Sequence, residues 1–124
     1  MRRSSALVLS GLALVGAAAG AIGCGSGDTV APEEVARGHE LFKATCASCH
    51  GQNAEGMPRL GKDLHANAFV ESMTEEELVA FFKEGRPAFH PDNERGVDMP
   101  PKGGNPALQD EDLRLIAVYV RSIQ

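Results

Sequence analysis

Two cysteines and a histidine stand close together at positions 46, 49 and 50, in the order Cys-Ala-Ser-Cys-His. Two thiols at this spacing can each form a thioether to one vinyl group of a single porphyrin, and the adjacent imidazole then lies beneath the iron as an axial ligand. Cys46 and Cys49 are therefore predicted to attach one haem c covalently, and His50 is predicted to bind its iron.

The same spacing of cysteines also occurs in zinc sites and in dithiol redox motifs. A structural zinc site needs a fourth ligand, usually from a second Cys/His pair, and the only further cysteine is Cys24 in the N-terminal segment. A thioredoxin-like pair follows a β-strand, whereas residues 39–45, HELFKAT, are typical of a helix. Both alternatives are less well supported than haem attachment.

Three segments carry helix signals that would frame the motif. The first helix is predicted to begin near Pro32, which suits a first helical position. In the second, Thr74 and Glu77 form a capping box, and Gly85 ends the helix. The third is predicted to start at Asp110, and its apolar residues recur at helical spacing.

The segments between these helices are predicted to be loops around a small core. Residues 51–69 and 85–106 are rich in Gly and Pro and lack periodicity. The chain of 124 residues has no Trp, one Tyr and five Phe, a limited supply of aromatic side chains for a core. A large apolar macrocycle at the centre would add the buried apolar surface that so small a domain lacks.

This order of elements resembles that of a monohaem class I cytochrome c. The resemblance rests on CASCHG at 46–51 and MPPKGGNPAL at 99–108, and it covers about residues 33–124. It implies an all-α fold in which three main helices and their loops wrap around one covalently bound haem. It also implies that the first helix packs on the last, where a glycine leaves room for an aromatic ring. The residues implied at that contact are Gly38, Phe42, Ile116 and Tyr119.

The second axial ligand has several candidates, namely Met57, Met73, Met99, His65 and His90. Met57 lies only seven residues beyond His50, a short loop for crossing the haem, and Met73 is placed for a hydrophobic staple of the second helix. Met99 precedes two prolines, which restrict its backbone to extended conformations and stiffen the segment. The resemblance points to the same residue. Met99 is therefore predicted to bind the iron, and His90 is the rival that would give a bis-histidine haem.

The resemblance also implies an acceptor for the second ring nitrogen of His50. A ligating histidine usually donates its other N–H to a fixed acceptor, which holds the ring in orientation. In the family this acceptor is a proline carbonyl in the loop after the haem motif. Pro58 is the matching position in this chain.

The expected function is that of an electron carrier rather than an enzyme. With His50 and Met99 both on the iron, no position is open for a substrate, and Met/His ligation raises the reduction potential. The alternative is a haem enzyme of the peroxidase kind or a gas sensor with an open or labile distal site. In that case His65 or His90 could be recruited as an acid–base group.

Residues 1–23 have the features of an export signal. Arg2 and Arg3 precede an apolar run from Ala6 to Ile22. That run approaches the length of the shortest membrane-spanning helices, so an uncleaved anchor stays open as an alternative. The signal predicts an exported protein on the periplasmic or extracytoplasmic side of a membrane.

Cys24 is predicted to be a lipidation site. The preceding Ala-Ile-Gly resembles a bacterial lipoprotein cleavage box, and residues 24–32 would then form a lipidated spacer before the domain at 33–124. Such an anchor would tie the protein to a membrane. Ordinary cleavage after an Ala-x-Ala sequence at 17–19 or 19–21 is the alternative.

Charge bears on the choice of partners. The chain has 12 basic and 17 acidic residues, so that without Arg2 and Arg3 the net charge is −7. An acidic carrier favours docking on basic surfaces of redox donors and acceptors, which are expected to be membrane complexes. This sign of charge disfavours nucleic acid as a partner.

Overall fold

A computed structural model describes residues 30–124. This part of the chain is helical and contains no strand, only an isolated bridge between Arg86 and Met99. The helices are α1 (Pro32–Thr45), α2 (Ala47–His50), α3 (Ala68–Glu71), α4 (Glu75–Glu84) and α5 (Asp110–Ser122), and a 3₁₀ turn spans Pro101–Gly104. The predicted export segment and Cys24 lie outside the described residues and stay predictions.

The helix boundaries follow the local capping signals. α1 begins at Pro32 and α5 begins at Asp110, as predicted. Before α4, the backbone N–H of Thr74 donates to the Glu77 carboxylate at 2.8 Å, and the Glu77 N–H donates to Thr74 Oγ1 at 3.2 Å. This capping box satisfies two backbone donors that would otherwise lack partners at the start of the helix.

The packing of α1 on α5 positions the haem motif, which follows α1 directly. Gly38 is buried in this contact, and a β-carbon there would overlap the Leu115 carbonyl oxygen. One turn further along, the Phe42 ring lies 5.2 Å from the Tyr119 ring, measured between centroids. The implied contact is confirmed, but Gly38 makes room chiefly for the backbone of α5 rather than for an aromatic ring.

Ion pairs around Arg114 add a second tie between the helices. The Arg114 guanidinium lies 2.6 Å from Glu34 of α1 and 2.7 Å from Glu111 of its own helix. Glu75 at the start of α4 is 3.7 Å away. Because these groups are about one-third or more exposed, the network contributes less to stability than the apolar packing beneath it.

The apolar core is open on one side. Its largest fully buried side chains come from α1, α4 and α5, and they are Phe42, Leu78, Leu113, Ile116 and Val120. All but one of these also border a cavity at the centre of the fold. The described helices therefore build a core around a space that the protein's own side chains do not fill.

One short α-helix begins at the end of a segment that was predicted to be loop. α3 follows Asn67, whose side-chain oxygen accepts from the N–H groups of Phe69 and Val70 at 3.1 and 3.4 Å. This N-cap holds a single helical turn that lacks the length to show periodicity in the sequence. Among residues 30–124, no helix is both long and apolar enough to cross a bilayer.

Candidate haem-binding site

The central cavity brings together four of the predicted site residues. It has a volume of about 390 Å³, within the range of cofactor sites. Cys46, Cys49 and His50 border it from one segment, and Met99 borders it from a loop about fifty residues further along. The inner wall is apolar and is formed by side chains of the core: Phe42, Val70, Leu78, Ile116 and Val120.

The haem motif is wound into a single helical turn. The Cys46 N–H continues α1 by donating to the Phe42 carbonyl at 2.7 Å, and the His50 N–H donates to the Cys46 carbonyl at 3.0 Å. Cys46 and Cys49 are free thiols, and burial, reinforced by the neighbouring Cys49, raises the pKa of Cys46 to about 12. Two free thiols and an imidazole on one turn beside an apolar cavity fit a covalently attached porphyrin.

The His50 ring is oriented by a backbone carbonyl. Its Nδ1 lies 2.9 Å from the carbonyl oxygen of Lys62. A neutral imidazole that carries its proton on Nδ1 donates to this oxygen and leaves Nε2 free to bind a metal. The arrangement therefore suits an iron ligand.

Lys62, and not Pro58, supplies the carbonyl, so the prediction for Pro58 is wrong. Pro58 is exposed within a turn in which the Leu60 N–H donates to the Met57 carbonyl at 3.1 Å. After this turn the Gly61 N–H donates to the Cys49 carbonyl at 2.9 Å. The turn thus presents Lys62 to the imidazole.

Gly61 is a site residue that sequence reasoning missed. A β-carbon at this position would lie 2.7 Å from His50 Nδ1 and 2.5 Å from the Cys49 carbonyl oxygen, closer than real β-carbons approach. Only a glycine lets the loop lie this close to the imidazole. The available signal was a glycine a few residues after a proline in the loop that follows the motif.

The Met99 loop is fixed to the end of α4. Arg86 and Met99 exchange two backbone hydrogen bonds of 2.8 and 2.9 Å. Gly85 has a left-handed φ of 71°, and a β-carbon there would crowd the Met99 carbonyl and lie 2.8 Å from the Pro101 nitrogen. Gly85 therefore both ends α4, as predicted, and admits the loop that carries Met99.

Comparison with known proteins decides the family. Residues 33–120 match the family model described as cytochrome c oxidase, cbb3-type, subunit III. The chain belongs to this family of c-type cytochromes. The class I cytochrome c fold and the haem c cofactor, which Cys46 and Cys49 are placed to hold, are thereby confirmed.

The cytochrome is similar to several curated proteins. The FixP subunit of the cbb3-type oxidase of Azorhizobium caulinodans is 31% identical over 82% of this chain and 30% of that protein. Chloroplastic cytochrome c6 of Arabidopsis thaliana is 34% identical over 71% of this chain and 51% of that protein. Cytochrome c-555 of Prosthecochloris aestuarii is 29% identical over 70% of this chain and 85% of that protein. The cytochrome thus spans about a third of FixP and half of cytochrome c6, and no solved structure gives a significant match.

The other candidate ligands do not border the cavity of the cytochrome. Met57 is exposed, and Met73 packs against the core. The His65 ring lies 2.7 Å from Asp63, and His90 is exposed in the loop before Met99. Met99 stays the predicted second ligand.

Arg86 and Phe69 also border the cavity and were not predicted to do so. The Arg86 guanidinium lies 4.6 Å from the centre of the Phe69 ring and 4.9 Å from that of the Phe81 ring. Its long side chain is thereby held by cation–π contacts in the cavity wall. Within residues 30–124, no group of three or more His, Cys, Asp or Glu side chains converges as a metal site would.

Proposed function

We propose that this cytochrome is a one-electron carrier with a His/Met-ligated haem c. In this proposal Cys46 and Cys49 would hold the haem through two thioethers, and His50 and Met99 would bind its iron. The observation that carries it is that Met99 alone among the candidate methionines borders the cavity that also contains His50 and both thiols. When bound, the haem supplies reversible exchange of a single electron.

The chain's own groups hold this ligand set in place. The Lys62 carbonyl accepts the Nδ1 proton of His50, which fixes the tautomer and strengthens the imidazole as a ligand. The paired backbone of Arg86 and Met99, followed by two prolines, limits the movement of a thioether that binds iron only weakly. The apolar wall excludes water and so favours a raised potential.

The haem enzyme and the gas sensor are less well supported. An enzyme of the peroxidase kind needs an open axial position with an acid–base group beside it. His65 and His90, which were the candidates for that group, do not border the cavity. With His50 and Met99 both bound to the iron, no position would be left for a substrate.

Membrane complexes are the proposed donors and acceptors. Similarity to FixP, whose name places it in a cbb3-type oxidase, supports partners of that kind. The net charge of −7 that remains without Arg2 and Arg3 favours a basic docking surface on the partner. Export through residues 1–23 and a lipid anchor at Cys24 ahead of the domain at 33–124 complete the proposal.

The Met99 assignment can be tested in the oxidised holoprotein. A His/Met haem shows a weak sulfur-to-iron band in the near infrared, and Met99→Ala is expected to abolish it and lower the reduction potential while the haem stays covalently bound. Met57→Ala, a matched control at an exposed methionine, is expected to keep the band. Survival of the band in Met99→Ala would refute the assignment.

A further inference from the structure

Lys62 and Glu94 form an ion pair at the exposed edge of the haem cavity. The Lys62 Nζ lies 2.7 Å from Glu94 Oε2, and both residues border the cavity. The two residues are separated by 32 positions and belong to different loops. The pair therefore connects the loop after the haem motif with the loop before Met99.

The Lys62 end of this connection is fixed to the haem motif. The Lys62 carbonyl lies 2.9 Å from His50 Nδ1. The preceding residue, Gly61, donates its N–H to the Cys49 carbonyl at 2.9 Å. The backbone of Lys62 cannot move without disturbing the contacts of the imidazole.

The Glu94 end is fixed to the Met99 loop. The side-chain amide of Asn93 donates to the carbonyls of Pro87 and Val97 at 3.0 and 2.7 Å, which spans the loop from one side to the other. The loop closes where Met99 pairs with the end of α4. Because these bonds make the loop a compact unit, Glu94 is expected to move together with Met99.

We infer that Lys62 and Glu94 are positioning residues that hold the Met99 loop against the His50 side of the cavity. The inference rests on the proposed function, because it takes Met99 as the second ligand. By restraining the loop, the pair opposes replacement of the Met99 sulfur by an exogenous ligand. The hydrogen bond from Lys62 lowers the pKa of the Glu94 carboxyl below its ordinary value.

The size of the effect follows from the exposure of the pair. The side chains are 43% and 74% exposed. Exposed ion pairs change an equilibrium by roughly 1.5- to 5-fold. The attraction is also screened by salt, because the Debye length falls from about 30 Å at 0.01 M to about 3 Å at 1 M.

Imidazole binding to the oxidised holoprotein tests the inference. At low salt, Lys62→Gln and Glu94→Gln are each expected to raise the apparent imidazole affinity by about 1.5- to 5-fold, measured by loss of the near-infrared band. The double variant should show no larger increase than either single variant, because both changes remove one interaction. High salt should bring the wild type to the level of the variants. Additive effects in the double variant, or no effect, would overturn the inference.

The chain contains a matched control pair. Lys83 and Asp110 also lie 2.7 Å apart, with exposures of 41% and 76%, and they do not border the cavity. Lys83→Gln is expected to leave the imidazole affinity unchanged. An increase equal to that of Lys62→Gln would show that the effect is one of general stability, and the inference would fail.

Hydrogen exchange separates this inference from the ligand assignment. The amides of Arg86 and Met99 should exchange about 1.5- to 5-fold faster in Lys62→Gln and Glu94→Gln, but not in Lys83→Gln, whichever group binds the iron. If the wild type lacks the near-infrared band and the two variants still exchange faster, the role of the ion pair would be supported and Met99 ligation would be refuted. Unchanged exchange with the band present would refute the pair and leave the proposed function intact.

Discussion

Replacement of Gly61 by alanine should move the loop that carries the Lys62 carbonyl. A β-carbon there would lie 2.7 Å from His50 Nδ1 and 2.5 Å from the Cys49 carbonyl, inside the 3.0 Å limit that real β-carbons keep. The obstructing Cys49 atom is backbone and the imidazole is held in the motif, so the loop itself must withdraw. Its withdrawal lengthens the hydrogen bond of 2.9 Å between His50 and Lys62.

The loss of this hydrogen bond sets the expected change in reduction potential. Donation from Nδ1 makes the imidazole a stronger electron donor, which favours the ferric state. A hydrogen bond contributes about 0.5–1.5 kcal/mol net. For one electron, a tenfold change in the redox equilibrium constant corresponds to about 59 mV. Loss of the hydrogen bond in Gly61→Ala should therefore raise the reduction potential by roughly 20–60 mV. The crowding should also lower the free energy of unfolding by about 1–3 kcal/mol.

Spectroscopic redox titration of the holoprotein measures this shift. Gly96→Ala serves as a control, because it adds an alanine at a left-handed φ of 63° where a β-carbon meets nothing within 4 Å. Its potential should stay within a few millivolts of the wild type. An unchanged or lowered potential in Gly61→Ala with low-spin haem retained, or an equal shift in Gly96→Ala, would refute the reasoning.

Two further predictions concern the attachment of the haem and of the protein. Cys46→Ala and Cys49→Ala should each yield little stable holoprotein, because the macrocycle completes the core. Denaturing gels stained for haem should then lose most of the stained band. Full-strength staining in both variants would contradict the assignment of two thioethers. Cys24→Ser should release the cytochrome into the soluble exported fraction or leave it as a precursor. Intact mass should show that the wild type is heavier, by the mass of its lipid, than the polypeptide from Cys24 plus haem. A soluble wild type that begins at Gly20 or Ile22 would instead indicate ordinary signal cleavage.

The helices could be predicted because their signals are local. The capping box of Thr74 and Glu77, the first-turn Pro32 and the stop at Gly85 each act within a few residues of the helix end that they define. The short α3 escaped prediction for the same reason, because its only signal is the single N-cap at Asn67. Local patterns thus predict long capped helices and fail for a single turn.

The acceptor for His50 could not be predicted because it depends on the path of a loop. Matching along the chain selected Pro58, whereas the turn at 57–61 brings Lys62 to the imidazole. The hydrogen bonds that shape this turn are backbone bonds, which any residue except proline can donate. Side-chain identity therefore carried little information about which carbonyl would be reached.

The prediction that Met99 binds the iron has support from the sequence and from the structure. The prolines after it restrict the backbone from within the sequence, and its partner Arg86 directly follows the glycine that ends α4. Gly61 and Gly85 have the same role on the His50 side and the Met99 side of the cavity. Each lets a loop lie against backbone at a place where a β-carbon would not fit. The helices line the cavity with their apolar faces, whereas these two loops orient the His50 ring and carry Met99, the proposed ligands. Substitutions in the loops should therefore change the potential and the ligand stability, whereas substitutions in the helix faces should change how much haem the protein retains.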